Sequence, residues 1–182
     1  AVRAADKDPM LTNWGDYDLV MIFHAGAGAE FDLGFTTTPH DLPSAWLVAE
    51  DLEIIDVFDG VPVDSNRYYI KEGLILPETE THEGVQISMA GVICSLFGHW
   101  LGLPALYDRD DGGVVVGKWS LMDRGFGNYF GAIPGQVDAW SRSYMGWVEP
   151  QIIEPSGLPE IYNIAALGIQ GDTLTQVYKI PL

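Results

Sequence analysis

Ser95, Leu96 and His99 lie in the run "VICSLFGHWLGLPALYD", residues 92 to 108, at a spacing that on a helix could hold a metal ion. Two imidazoles four residues apart stand one above the other on a helix face and can share zinc. A glutamate directly after the first imidazole can act as general base on metal-bound water. Here the first position carries a hydroxyl, the second a hydrocarbon, and only His99 offers a ring nitrogen. Structural zinc sites gain about 10–16 kcal/mol from four ligands, or roughly 3–4 kcal/mol each. One imidazole therefore supports binding no tighter than about millimolar. Loss of a general base alone removes about 10²–10⁴ in rate. This run predicts no hydrolytic zinc centre.

Other chemistry is weaker in the sequence. Ser95 and His99 are one helical turn apart, but no acid at a suitable spacing orients the imidazole and no Gly-x-Ser-x-Gly elbow exposes the hydroxyl. A serine in mid-helix more often bonds its own backbone. His24 follows an apolar run and reads as a core or turn histidine bonded to a carbonyl. His40 lies in a proline-rich loop and His82 at a helix start, and neither has an acid at metal-binding spacing. A rebuilt zinc site using His99 with His24 or Asp108 is the alternative. "YDRDDGG" sets Asp108, Asp110 and Asp111 before two glycines, the oxygen-rich turn that calcium favours, although it lacks the EF-hand pattern. An ordinary solvated turn is the favoured reading of these residues.

The elements that must position these groups follow from hydrophobic periodicity. "DYDLVMIFHAG" predicts a strand whose continuous apolar run, Leu19 to Phe23, implies burial on both faces. The stretch 31 to 45 reads as loop, and "AWLVAEDLEIIDVF" as strand or helix. "NRYYI" predicts a strand in the same sheet as Leu19 to Phe23. The central helix is expected to begin near Glu83 with Thr81 as N-cap, to be buried, and to stop at Gly102 in a left-handed cap. A last helix is expected from Pro134, and a β-rich continuation over 151–182.

The chain has 182 residues, enough for one domain with a substantial core. Nine basic against 26 acidic residues give a net charge of −17, which excludes nucleic acid and anionic membrane as natural partners. No apolar run approaches the ~20 residues that span a bilayer. Cys94 is the single cysteine; apolar neighbours predict a buried, inert thiol. Among the aromatics, Trp100 and Trp140 are expected in the core. "GFGNYFG", residues 125 to 131, is the better candidate for exposed contact through Phe126, Tyr129 and Phe130. The first residue is Ala and the last run is strand-like, so the chain is expected to be a piece of a longer polypeptide.

Four stretches together resemble the immune inhibitor A-type metallopeptidases, a family of secreted bacterial zinc endopeptidases. Residues 95 to 108 are similar to the motif H-E-F-G-H-x-L-G-L-P-D-L-Y-D. "DLVMIFHAGAGAEFD", "GKWSLMDRG" and "PGQVDAWSRSYMGWVEP" resemble the family's buried strand, the turn whose methionine lies beneath the metal (Met122), and the following helix. The matching stretches cover residues 18 to 150 in order. The resemblance implies an α+β, zincin-like fold with a twisted sheet packed on a buried active-site helix, and zinc as cofactor. Against it, Ser95 replaces the first ligand, Leu96 the base, and Ala105 the aspartate expected as third ligand. The expectation is therefore a pseudopeptidase without its zinc, secreted or on a bacterial surface. Its partners would be other domains of the same chain, or a protein, peptide or glycan. The alternatives are an active peptidase with substitute ligands around His99 and a calcium-stabilised adhesion or scaffold module.

Overall fold

The strand at the centre of the main sheet carries a proline. In the computed structural model, which describes residues 1–11, 13–31, 41–82, 84–166 and 176–181, "GLILPET" forms a strand over Gly73–Thr79 whose Leu74 and Leu76 are fully buried. Numbered in chain order, the strands of this sheet are β1 (Met21–Ala27), β2 (Ala45–Leu47) and β5 (Gly73–Thr79). They lie in the order β1-β5-β2, with β1 parallel and β2 antiparallel to β5. Proline donates no ladder hydrogen bond. Opposite Pro77 the pairing falters: the register of β1 shifts between His24 and Ala27, around Gly26 at φ +96°. The irregularity redirects the end of β1, and residues 28 to 30 enter the site described below.

Several expectations are corrected here. β1 is not buried on both faces; Met21 and Phe23 point to one face and are exposed, while Ile22 on the other is half-buried. "NRYYI" does not join that sheet. Its Tyr68–Ile70 (β4) pairs with Val61–Val63 (β3) as a separate antiparallel hairpin, through a turn in which Asp64, Ser65 and Asn66 take positive φ. "AWLVAEDLEIIDVF" supplies both of its alternatives, β2 and then a short helix α2, Ala49–Glu53, after α1 at Val2–Ala5.

The central helix, α3, spans Ala90–Trp100 and starts later than expected. Gly84 at φ +81° and a bridge between His82 and Val85 keep the preceding residues out of helix, and Thr81 bonds the backbone of Ile87 instead of capping. Glu83 lies outside the described residues. The helix is half-buried rather than buried. Val92 and half-buried Ile93 and Leu96 pack on Leu74 and Leu76, while Phe97, Leu101 and Cys94 face outward, so the thiol is exposed. Its C-terminus ends as expected. Gly102 has φ +97°, its N–H donates to His99 (2.9 Å), and the Leu103 N–H donates to Gly98 (2.9 Å), a Schellman arrangement.

A second cluster of Leu103, Leu121 and Met122 sits beneath the helix end, and Phe126 bridges it to the first. Contact with the helix is made through glycine. A Cβ on Gly98 would lie 2.9 Å from the Met122 Sδ, and one on Gly91 would collide with the Phe126 carbonyl oxygen. The last helix is short: α4 covers Ala139–Tyr144 with Asp138 as N-cap, and Pro134 precedes it in non-helical backbone. Trp140 on this helix is exposed, contrary to expectation. Of the β-rich continuation, Gln151–Ile152 (β6) and Tyr178–Lys179 (β7) pair in parallel, and residues 153–166 hold no strand. Residues 167–175 lie outside the described ones.

The two glycine contacts differ in what can yield. Gly91→Ala meets a backbone carbonyl and is expected to lose about 1–3 kcal/mol. Gly98→Ala meets a flexible thioether and gains helix propensity of up to about 1 kcal/mol, so it should stay near wild type. Urea denaturation of both variants checks the order.

Candidate functional site

The last turn of α3 presents Ser95, Leu96 and His99 to a cleft of about 250 Å³, closed on its other sides by Glu30, Asp123 and Phe126. The core thus does not close over this site; a cavity persists beside the buried Ser95. His99 is held without a metal. Its Nδ1 lies 3.1 Å from the Leu103 carbonyl, its ring stacks on Trp46 (centroids 6.2 Å apart, planes 3°), and Tyr107 meets it edge-on. A carbonyl only accepts, so Nδ1 donates and Nε2 keeps the lone pair. Burial lowers the His99 pKa; the Leu103 bond opposes this and the Arg109 charge adds to it, leaving the ring neutral at physiological pH. No hydrogen bond joins His99 to Ser95 among the described residues. The hydroxyl therefore has no base aimed at it.

The remaining motif positions are apolar. Leu96 packs toward Leu74 and Leu76, and Ala105 is half-buried in the turn after α3 and does not line the cleft. Met122 is fully buried under Gly98. Among the described residues no group of three His, Cys, Asp or Glu side chains comes together to hold a metal. One imidazole, one hydroxyl and two hydrocarbons do not fit a zinc site, and no step is derived through that metal.

Asp123 forms the opposite wall. Its Oδ2 accepts from the backbone N–H groups of Val115 (3.0 Å), Val116 (2.6 Å) and Gly117 (2.6 Å). Burial alone would raise its carboxyl, but these donors outweigh burial and hold it below the usual 3.8. Arg124 beside it donates to the Gly112 carbonyl at 2.7 Å. The loop from 112 to 124 is thereby tied into one wall.

Glu30 and Glu80 meet over Gly28 at the far end of the cleft. Glu80 has no exposed surface, and burial, then the charge of Glu30 beside it, push its carboxyl up to about 8. His82 sits behind them. Its Nε2 donates to the Gly28 carbonyl (2.5 Å) and lies 3.8 Å from Asp41. His82 therefore does meet an acid, one brought up by the fold rather than by sequence spacing, and it stands on no helix.

The other expected residues lie elsewhere. Asp108, Asp110 and Asp111 are exposed; the Asp108 side chain accepts from the Asp110 N–H and that of Asp111 from the Gly113 N–H, both local turn bonds. His24 bonds the Ala25 carbonyl at 2.9 Å and does not line the cleft. His40 lies outside the described residues. Phe126 is a half-buried cleft wall. Tyr129 and Phe130 are exposed but off the cleft, and Tyr129 shares a separate groove with Lys118 and Trp119. Sequence reasoning passed over Glu30, Glu80 and Asp123. For Glu30 and Asp123 the signal was an acid placed directly after a glycine-rich or apolar run, in "AGAGAE" and "SLMD"; Glu80, after Glu78 and Thr79, had none.

The helix α3 thus turns a Ser–Leu–Phe–Gly–His run into a cleft and stops in a glycine turn above the buried Met122. A family model described as immune inhibitor A peptidase M6, catalytic domain, matches residues 12–152. The chain belongs to this peptidase family. Neither the curated proteins nor the solved structures give a match.

Two outcomes follow for Asp123. Asp123→Ala strands three backbone donors, each costing about 1–3 kcal/mol when buried, so stability should fall by about 3 kcal/mol or more in urea denaturation. Because the folded pKa of Asp123 lies below 3.8, its contribution is complete above that pH. Acid titration of the melting temperature should show it lost as pH falls below about 3.8, and the loss should be smaller in the variant.

Proposed function

We propose that this chain is a non-catalytic member of its family, a pseudopeptidase domain of a secreted or surface protein that keeps the peptidase cleft for binding. The observation that carries this reading is the pairing of an open cleft with a donor set reduced to His99. The cleft retains a neutral imidazole with a free Nε2, a hydroxyl and carboxylates, which suits hydrogen bonding to a peptide. The net charge of −17 favours a basic one.

A second reading, an active peptidase with substitute ligands, draws on Glu30 and Asp123, which line the same cleft as His99. Against it, Asp123 offers only its unpartnered Oδ1, since Oδ2 already accepts three N–H groups, and no three His, Cys, Asp or Glu side chains come together among the described residues. Metal analysis after equilibration with zinc, run beside casein hydrolysis, separates the two. The pseudopeptidase should retain less than stoichiometric zinc after desalting and leave casein intact. Stoichiometric zinc with chelator-sensitive cleavage would establish the peptidase.

A further inference from the structure

Four oxygen atoms at the end of the cleft are buried with no hydrogen-bond partner: Oε2 of Glu30, both carboxylate oxygens of Glu80, and Oγ of Ser44. Glu80 is wholly buried, so water does not compensate it from outside. The three carboxylate oxygens converge tightly. A Cβ added to Gly28 would lie 2.5 Å from Glu30 Oε2 and 2.6 Å from each oxygen of Glu80. Ser44 is bound into the same group, since its N–H donates to Glu30 Oε1. Among the described residues no lysine or arginine forms an ion pair with either carboxylate.

Two buried carboxylates in contact must share a proton or hold a cation, because uncompensated like charges in a low-dielectric site cost several kcal/mol. The donors here are all hard oxygens, with neither imidazole nor thiolate among them, which selects calcium over zinc. Calcium takes 6–8 oxygens at irregular angles and accepts water among them. Glu30 and Ser44 both line the cleft, so water can reach the open side.

We propose that Glu30, Glu80 and Ser44 form a calcium-class cation site that joins the ends of β1 and β5 and the start of β2. Neither its chemistry nor its position depends on whether the neighbouring cleft is catalytic. The site is distinct from the Asp108–Asp111 turn, whose carboxylates are exposed and spend their oxygens on local backbone. With two carboxylates and a hydroxyl, its affinity belongs with the weak extracellular modules, about 10⁻⁴–10⁻³ M.

The test is the melting temperature of the 182-residue chain in chelator, in 10 mM calcium and in 10 mM magnesium at matched ionic strength, with calcium uptake followed by titration calorimetry. Calcium should raise the wild-type midpoint by about 3–7 °C, and magnesium by less. Glu80→Gln removes the like-charge contact but keeps an acceptor and a donor for Glu30. It should melt at or above wild type in chelator and lose the calcium shift. A variant carrying Asp108→Asn, Asp110→Asn and Asp111→Asn should keep the shift. If Glu80→Gln does not fold, Glu30→Gln is read in its place. A wild-type chain that takes up no calcium overturns the site whatever the variants do, leaving a pair bridged by a proton only. A shift that survives Glu80→Gln, or one lost in the triple variant, overturns it equally.

Discussion

The approach of the 118–131 segment to α3 is the contact on which the rest of the site depends. Gly91 and Gly98 are seven residues apart, two turns along one helix face, and the absence of a side chain at each lets that segment come within backbone distance. The Gly91 N–H donates to the Gly131 carbonyl and the Ser88 N–H to that of Phe130, so the start of the helix is fastened by hydrogen bonds. At the other end Met122 fills the space below Gly98, and its carbonyl accepts from Leu106. Between the two anchors Phe126 reaches both apolar clusters. The cleft is what remains between this segment and the sheet.

That geometry explains an unusual balance of polarity. One wall is the face of α3 with Ser95, Leu96 and His99, Phe126 closes another, and two carry acids: Asp123, and Glu30 with Glu80 just behind it. Asp123 has three backbone donors on its Oδ2 and an unpartnered Oδ1, whereas neither oxygen of Glu80 has a partner. The same chemical group is thus stabilised as an anion at one end and strongly disfavoured as one at the other. Ligands entering the cleft meet that gradient, with the neutral His99 between.

The sequence was most legible where a local rule decides the structure. Gly102 after an apolar helical run could only be a left-handed stop, and the structure has it there. β1 was legible as a strand but not as a half-exposed one, because whether both faces of a strand are covered is set by what the fold packs over them. β5 was passed over because Pro77 reads against a central strand; the fold tolerates it by slipping the register of its neighbour. The start of α3 was misplaced because Thr81 and Glu83 satisfy the rules for a cap, whereas Gly84 and the His82–Val85 bridge delay the helix. The last helix was drawn from Pro134, but the cap formed at Asp138, whose side chain accepts from Ser141. Within the site, His99, Ser95 and Leu96 could be placed from their spacing on one helix. Glu30 and Glu80 are fifty residues apart, and His82 and Asp41 forty-one, so no periodicity could join them.

The Schellman stop at Gly102 and Leu103 has a further effect on how this family motif can change. It fixes the rotational phase of α3 from its trailing end, since the carbonyls of Gly98 and His99 are tied to the turn. Removing one residue between Gly91 and His99 would swing everything upstream by about 100° while His99 stayed where it is. The two glycines would then no longer face the same side, and the Phe126 backbone would meet a side chain. Substitutions can therefore accumulate at Ser95 and Leu96 without disturbing the scaffold, whereas a change in length there would dismantle it. Drift in such a helix is confined to identity and barred from spacing.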